Sequence, residues 1–247
     1  MSKPNIFLVT GASGGIGSAL CHQLTDAGHI VIAASREIGR LDKVTAAHKI
    51  AGDCTTAEGA VAIIEAATAA TGEAPAGLAH CLGNTLLTPL HRTKAAAWTE
   101  TMRINLDSSF HILHAWINAR LPLKQGGSAV FASSVVARIG VANHEAIAAA
   151  KGGIEALVRS AAATYAAQGL RFNVVAPGLT DTPLTAPLLN SDAFRAAATK
   201  QYPLAGLQSA DDVASAMAWL LSHQSSRITG QVIPVDGGFT SVRPLVR

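Results

Sequence analysis

The sequence has few aromatic residues and few charges. Aromatic residues make up 4% of its 247 residues and charged residues 14%, whereas 49% are hydrophobic. A folded core must therefore be built mainly from Ala, Val, Leu and Ile, and the composition excludes a disordered chain. The net charge of +3 is small and no run of Lys or Arg occurs, so we expect no nucleic-acid partner.

Cysteines and long apolar runs are also scarce. Cys21, Cys54 and Cys81 stand far apart and in no metal-binding spacing, so we expect reduced packing residues and no metal site. The apolar run at residues 6–9 is too short for a signal sequence or a membrane span. These features predict a cytoplasmic protein with no membrane partner.

Short apolar runs alternate with long helical stretches along the chain. The runs predict buried strands at residues 6–9, 29–34, 78–82, 128–132, 172–175 and 231–235. Helical spacing predicts helices at residues 16–27, 58–70, 99–121, 147–168 and 211–222. Such alternation predicts an α/β fold, with one doubly wound parallel sheet of about seven strands and helices on both faces. The length suits a single domain over residues 1–247.

One long stretch, residues 177–207, breaks this alternation and is predicted to be irregular. Pro183, Pro187 and Pro203 interrupt it. Ligands of open α/β sheets bind beyond the carboxyl ends of the strands. We therefore expect residues 183–207 to form a lid over a substrate.

A glycine-rich segment directly follows the first predicted strand and opens into a helix. It reads Thr-Gly-Ala-Ser-Gly-Gly-Ile-Gly from Thr10 to Gly17. Glycines let the backbone approach a pyrophosphate, and the helix N-terminus offers free N–H groups. This position favours dinucleotide binding over a plain flexible turn, with contacts expected from Gly11, Ser13, Gly15, Ile16 and Gly17.

The end of the second predicted strand bears on the choice of cofactor. A carboxylate there would bind the ribose of NAD, whereas an arginine accommodates the extra phosphate of NADP. Here Ser35 and Arg36 come first, and no acid occurs before Glu37. The sequence therefore favours NADP(H) over NAD(H), although Arg36 as an ordinary surface residue is the alternative.

Six segments in the right order resemble the short-chain dehydrogenase/reductase family over essentially the full length. Besides the glycine loop they are Gly52-Asp53-Cys54, Arg103-Ile104-Asn105-Leu106, Ser133-Ser134-Val135-Val136, the stretch from Asn173 to Thr182, and Val235-Asp236-Gly237-Gly238. One motif departs, because the family's asparagine–glycine segment after the fourth strand reads His80-Cys81-Leu82-Gly83 here. We expect the fold to tolerate this change.

The resemblance implies a nicotinamide dinucleotide as partner and assigns roles to residues. Asn105, Ser134 and Lys151 match the family's catalytic asparagine, serine and lysine, and Lys151 would also hold the nicotinamide ribose. Each also has a plain structural reading, as a helix polar group, a strand-end residue or a solvated lysine. Cofactor contacts are expected from Asp53, Cys54, Leu82, Gly83, Pro177, Gly178, Thr180 and Thr182.

The family's catalytic tyrosine is absent from this sequence. Counting back four residues from Lys151 gives Ile147, which has no proton to give. The only tyrosines are Tyr165, which lies more than three turns beyond Lys151 on the predicted helix, and Tyr202 in the predicted lid. His144 can act as an acid near neutral pH, or it can be a loop residue at a helix entry.

Three functions remain open. The first is an NADP(H)-dependent oxidoreductase acting on a carbonyl, an alcohol or an activated double bond of an unknown small molecule. The second is a non-catalytic NADP(H)-binding sensor or assembly protein, and the third is an elimination in the same pocket. The resemblance also implies a homodimer or homotetramer formed through the helices at residues 99–121 and 147–168.

Overall fold

A computed structural model describes residues 4–243 of the chain. Its strands are β1 (Ile6–Thr10), β2 (Ile30–Ser35), β3 (His48–Ala51), β4 (Gly77–His80), β5 (Gly127–Ala132), β6 (Leu170–Pro177), β7 (Thr180–Asp181), β8 (Gln208–Ser209) and β9 (Val232–Val235). Its α-helices are α1 (Gly15–Asp26), α2 (Ala57–Thr71), α3 (Ala95–Met102), α4 (Ser108–Arg120), α5 (Glu145–Tyr165), α6 (Asp192–Thr199) and α7 (Ala210–Leu221).

Seven of the strands form one parallel sheet in the order β3-β2-β1-β4-β5-β6-β9. The predicted doubly wound α/β fold is confirmed. The strand order reverses between β1 and β4, and in such sheets ligands bind at the carboxyl ends of the strands beside this reversal. The fold therefore places a binding site next to Thr10 and His80.

Alternate residues of the strands supply two separate hydrophobic cores. Leu8 of β1 packs with Trp116 of α4 on one face of the sheet, whereas Val9 packs with Leu20 of α1 on the other. Both faces of each central strand are thus buried, which explains why the strands are continuous apolar runs. Full burial of each such large side chain contributes about 1.5–3 kcal/mol.

Three features of the fold differ from the sequence predictions. β3 has exposed and half-buried residues alternating along a sheet edge, so it gave no apolar run. The predicted helix at residues 99–121 begins earlier, as α3, and contains a π-helical turn at Arg103–Asp107 before α4. The stretch 177–207 is not irregular throughout, because a short two-stranded sheet of β7 and β8 and the helix α6 lie within it or at its end.

His80 joins the central strands to the π-helical turn. The Oγ1 of Thr10 lies 2.7 Å from its Nδ1, and its Nε2 lies 3.0 Å from the Oγ of Ser108. The Ser108 hydroxyl donates to the carbonyl of Ile104 at 2.6 Å, so His80 donates from Nε2 and accepts at Nδ1. Burial and the charge of Lys151 lower the pKa of His80 to about 3. The neutral imidazole thus connects β1 to the segment that carries Asn105.

We expect His80→Asn to reduce the loss of stability in acid. Between pH 6.5 and about 3 the unfolded chain binds a proton at His80 that the folded chain excludes, so stability falls as the pH falls. From pH 7 to pH 5 this costs the native protein about 2 kcal/mol that the variant does not lose. Urea unfolding at both pH values measures the difference, with His114→Asn as an exposed control. Equal pH dependence in native protein and His80→Asn would contradict the assignment.

Candidate functional site

A cavity of about 390 Å³ lies at the carboxyl ends of β4, β5 and β6. The segment after β4 contributes Leu82, Gly83 and Asn84 to its wall, and the segment after β5 contributes Ser134. α5 presents Ile147 and Lys151 from one side, and the segment after β6, together with α6, encloses the other side. Strand ends and a lid segment thus converge as the topology requires.

The glycine loop is shaped for close approach of a ligand. Gly11 has a φ of +69°, and a Cβ at this position would lie 2.6 Å from the backbone nitrogen of Leu82. A Cβ at Gly17 would lie 2.4 Å from the carbonyl oxygen of Gly11. α1 begins at Gly15 with no side-chain cap and no acidic residue in its first turn. Its positive N-terminal end therefore suits a pyrophosphate, and this chain fits a bound dinucleotide.

The residues predicted to bind the adenosine end lie beyond β2 and β3. The Oγ atoms of Ser13 and Ser35 are 3.2 Å apart, and Arg36 beside them is exposed. Burial raises the pKa of Asp53, but hydrogen bonds from the N–H and hydroxyl of Thr55 and the nearby arginine charges outweigh it and lower the pKa. The side chain of Cys54 packs in the core under α2. Only its backbone is therefore placed to face a ligand.

Lys151 is buried between α5 and β5. Its Nζ donates to the carbonyl oxygen of Ala132 at 2.9 Å, and burial lowers its pKa from 10.5 to about 8. Near neutral pH the side chain is therefore a cation close to its titration point, and among the described residues no carboxylate lines its cavity. Such a group can hold a ribose hydroxyl and favours negative charge on a nearby oxygen.

Asn105 lies in the π-helical turn and is fully buried. Its Nδ2 donates to the carbonyl of Thr101 at 2.9 Å and to Oδ1 of Asn84 at 2.6 Å. Its Oδ1 has no hydrogen-bond partner within residues 4–243. A Cβ at Gly83 would lie 2.9 Å from this Oδ1 and 3.2 Å from Nζ of Lys151, so Gly83 keeps a small space open between them.

The two serines after β5 have different surroundings: Ser133 is buried and hydrogen-bonded, whereas Ser134 lines the cavity. Ser133 is buried, and its hydroxyl donates to Oε1 of Glu155 at 3.0 Å and to the carbonyl of Lys151 at 3.3 Å. Arg138 donates to the other oxygen of Glu155 at 3.1 Å. These bonds fix α5 against the end of β5. Ser134 lines the cavity, and within residues 4–243 the recorded hydrogen bond to its Oγ comes from the N–H of Val136 at 3.4 Å.

Ile147 lies one helical turn before Lys151, is 4% exposed and lines the cavity. His144 lines the same cavity at the start of α5, next to Asn143, whose φ is +67°. The Nδ1 of His144 lies 2.7 Å from the carbonyl oxygen of Ala142. A carbonyl only accepts, so Nδ1 carries a proton and Nε2 is the remaining ring nitrogen that can accept or donate one.

The two tyrosines lie in different places. Tyr165 packs against Phe172 in the core, far along α5 from the cavity. Tyr202, which the sequence could not place, lines the cavity, but its hydroxyl accepts from the N–H of Leu179 at 2.6 Å. Burial raises the pKa of Tyr202 and outweighs this hydrogen bond. Its bond shows a role in holding the segment after β6.

The structure brings most of the other predicted site residues together. Ile16, Leu82, Pro177, Gly178, Thr180 and Thr182 line the cavity with Lys151. Ser13 and Gly15 line a second, open cleft of about 540 Å³ over the start of α1, with Lys43 at its edge. A Cβ at Gly15 would lie 2.9 Å from Cγ2 of Thr182. The glycine loop and the segment after β6 therefore meet between the two spaces.

The cavity wall is mostly apolar. The lid contributes Leu184, Leu188 and Phe194, and the segment after β5 contributes Val135 and Val136. Within the described part of the chain, Lys151 and His144 are the only lining residues able to carry positive charge. Fold and site together define an α/β dinucleotide-binding protein. A largely apolar pocket lies next to its glycine loop.

Comparisons with known proteins identify the family. A family model described as enoyl-(acyl carrier protein) reductase matches residues 11–240. The chain is 34% identical over 249 residues to a cis-4-hydroxycyclohexanecarboxylate dehydrogenase of Sinomonas cyclohexanicum, covering 96% of this chain and 97% of the relative. It is 32% identical over 213 residues to an inactive 2-(S)-hydroxypropyl-CoM dehydrogenase 2 of Xanthobacter autotrophicus, covering 85% and 90% of the two chains.

Solved structures agree with the sequence comparisons. A short-chain type dehydrogenase/reductase from Mycobacterium ulcerans superimposes with a TM-score of 0.90 at 28% identity, covering 98% of this chain and 92% of that one. The chain therefore belongs to the short-chain dehydrogenase/reductase family, whose oxidoreductases use a nicotinamide dinucleotide. None of the described helices is long and apolar enough to cross a membrane.

One site residue that the sequence reasoning missed is Asn84. It follows Gly83, lines the cavity and bonds to Asn105. The only available signal was a polar residue directly after the segment that ends β4. A single polar residue after a strand does not by itself predict a site. Only the structure shows that Asn84 contacts Asn105 in the π-helical turn.

Proposed function

We propose that the protein is an NADP(H)-dependent oxidoreductase acting on a carbonyl, an alcohol or an activated double bond. Its substrate is a largely apolar small molecule without a positive charge, because the lid and β5 sides of the cavity are aliphatic and no carboxylate lines it in the described residues. The observation that carries the proposal is that Ser134 and Lys151 line one cavity beside the glycine loop, with the buried Asn105 next to Lys151 behind Gly83. Dinucleotide binding alone does not need this arrangement.

The residues divide the work as follows. The bound cofactor supplies or accepts hydride. The start of α1 holds the pyrophosphate, and Lys151 holds the nicotinamide ribose. The Ser134 hydroxyl, free of strong protein partners, donates to the substrate oxygen as negative charge develops there. Ile147 stands where relatives of this family carry an acidic tyrosine, so the proton must come from another group.

NADP(H) is the proposed cofactor because of Ser35 and Arg36 at the end of β2. The hydroxyl oxygen of Ser35 lies 3.2 Å from that of Ser13, which lines the cleft over the start of α1. Arg36 is exposed beside Ser35, and no acid precedes Glu37. A guanidinium can bind a phosphate through two parallel hydrogen bonds. The ribose of NAD has no phosphate at this place and offers the guanidinium no comparable acceptor.

Replacing Arg36 with Ala is expected to weaken NADPH binding by about 10–100-fold, the range for a hydrogen bond to a charged group, and to leave NADH binding nearly unchanged. Isothermal titration of both cofactors measures this. Arg40→Ala, which removes a second exposed arginine of the same loop, is the matched control and should bind NADPH as the native protein does. Equal losses for NADPH and NADH in Arg36→Ala would remove the case for NADP(H).

The function itself is tested by NADPH oxidation over a panel of apolar ketones and enones. We expect turnover by the native protein. Ile147→Tyr adds a proton donor to the site and should raise ketone reduction, whereas Ile147→Phe, with the same ring but no hydroxyl, should not. The full contribution of a general acid, about 10²–10⁴-fold, is expected from Ile147→Tyr only where His144 has been replaced as well. A native protein that is silent with every substrate while Ile147→Tyr is active would show a competent scaffold without its acid, and would overturn the proposal.

His144 is the proposed proton donor of the native protein. Its Nδ1 is occupied by the carbonyl of Ala142 at 2.7 Å, so proton exchange with the substrate falls to Nε2, and its ring lines the cavity next to Ile147. His144→Gln keeps a polar side chain but removes the ring that can transfer a proton. We expect it to lower ketone reduction by about 10²-fold or more. An unchanged rate would exclude His144 as the donor.

A non-catalytic NADP(H)-binding protein is the second candidate. The aliphatic side chain of Ile147 at the centre of the site favours it, and one relative at 32% identity is described as inactive. This alternative predicts tight NADPH binding with no turnover by the native protein. It also predicts an effect of the cofactor on binding to a partner protein.

A further inference from the structure

We propose that Asn84 binds the substrate oxygen, with its Nδ2 group donating a hydrogen bond to the oxygen on which negative charge develops. The inference rests on the proposed oxidoreductase function and adds a residue to it. It assigns to the loop after β4 a task that the motifs of the sequence did not suggest.

The orientation of the Asn105 amide is fixed first. Its nitrogen Nδ2 lies 2.9 Å from the carbonyl oxygen of Thr101, and a backbone carbonyl can only accept. The reversed amide would place two acceptors against each other. Asn105 therefore presents a donor to Asn84 at 2.6 Å, and its own Oδ1 is turned toward the space beside Gly83.

This in turn fixes the amide of Asn84. Since Asn105 donates, Asn84 must present Oδ1 to it, and its Nδ2 then points away from Asn105. Within residues 4–243 no acceptor is recorded for this Nδ2, although both of its hydrogens can donate. Asn84 is half-buried and lines the cavity with Ser134 and Lys151. A donor with a fixed direction is thus available at the wall where the substrate binds.

An amide in this place complements a site that has isoleucine at position 147. When hydride from NADPH forms the new C–H bond of a ketone, the carbonyl π pair moves onto oxygen as an alkoxide, and NADP⁺ is released. With an enone, the hydride adds to the β-carbon and the oxygen becomes that of an enolate. An amide stabilises either anion without giving up a proton. The proton then comes from His144 or water.

The test uses a probe that needs no turnover. 4-Nitrophenol is apolar apart from its nitro group, and its ionised oxygen resembles the oxygen anion of either reaction. Its binding to the NADP⁺-loaded protein is followed by the absorbance of the phenolate. We expect the native complex to bind the phenolate and to lower the pKa of the bound phenol.

The decisive variant is Asn84→Asp. It keeps an oxygen for Asn105 Nδ2 to donate to, but its charge also repels a nearby anion, so the uncharged Asn84→Leu, which removes the same donor, is measured beside it. A merely structural role predicts native phenolate binding in at least one of the two variants. Both changes remove the Nδ2 donor, and Asn84→Asp also places a carboxylate at the oxygen site. We expect about 10–100-fold weaker phenolate binding, the range for a lost hydrogen bond to a charge, with NADP⁺ binding unchanged. Asn118→Asp, an exposed change of the same kind on α4, controls for added charge and should bind as the native protein does.

The outcomes separate the two proposals. Phenolate binding that is as tight in Asn84→Asp or Asn84→Leu as in native protein, with NADP⁺ bound to each, would overturn the role of Asn84 and leave the oxidoreductase proposal standing. Failure of the native complex to bind the phenolate would also overturn the role of Asn84. Failure of the native protein to bind NADP⁺ at all would overturn both. Recovery of phenolate binding in Asn84→Gln, which restores an amide donor, would support the inference.

Discussion

The Lys151 ammonium group is buried at the end of β5, where it donates to the carbonyl of Ala132. A buried cation is costly, and here burial lowers its pKa to about 8. It is kept in place by the clamp around it, in which Ser133 and Arg138 both bond to Glu155 one turn further along α5. The same clamp turns Ser134 and Ile147 into the cavity. The ammonium group of Lys151 therefore lies where the expected cofactor site and the substrate pocket meet.

The second constraint is the π-helical turn between α3 and α4. It brings Asn105 into the core beside Lys151, and the Thr10–His80–Ser108 bonds connect it to the central strands. His80 fits at this place because the neutral ring donates at one nitrogen and accepts at the other. Asn105 in turn orients Asn84. A network of amides, hydroxyls and one imidazole thus surrounds a pocket that lacks a tyrosine at position 147.

Much of this could be predicted from the sequence, for identifiable reasons. The buried strands are apolar runs and the glycine loop follows β1 directly. The fold and the position of the glycine loop could therefore be predicted from sequence patterns. β3 was not predicted, because an edge strand whose residues alternate in exposure has no continuous apolar run. α6 was not predicted, because the prolines on both sides of it indicated an irregular segment. The orientation of Asn84 and the tautomer of His144 depend on partners far along the chain or on local backbone shape, which no spacing encodes.

The central claim is that this site transfers hydride although residue 147 is isoleucine. The most direct measurement is a single turnover with NADPH deuterated at C4, with the product examined by mass spectrometry. We expect one deuterium atom in the product formed by the native protein, at a rate that falls in Lys151→Met. Deuterium found only in product formed by Ile147→Tyr, and never with the native protein, would contradict it.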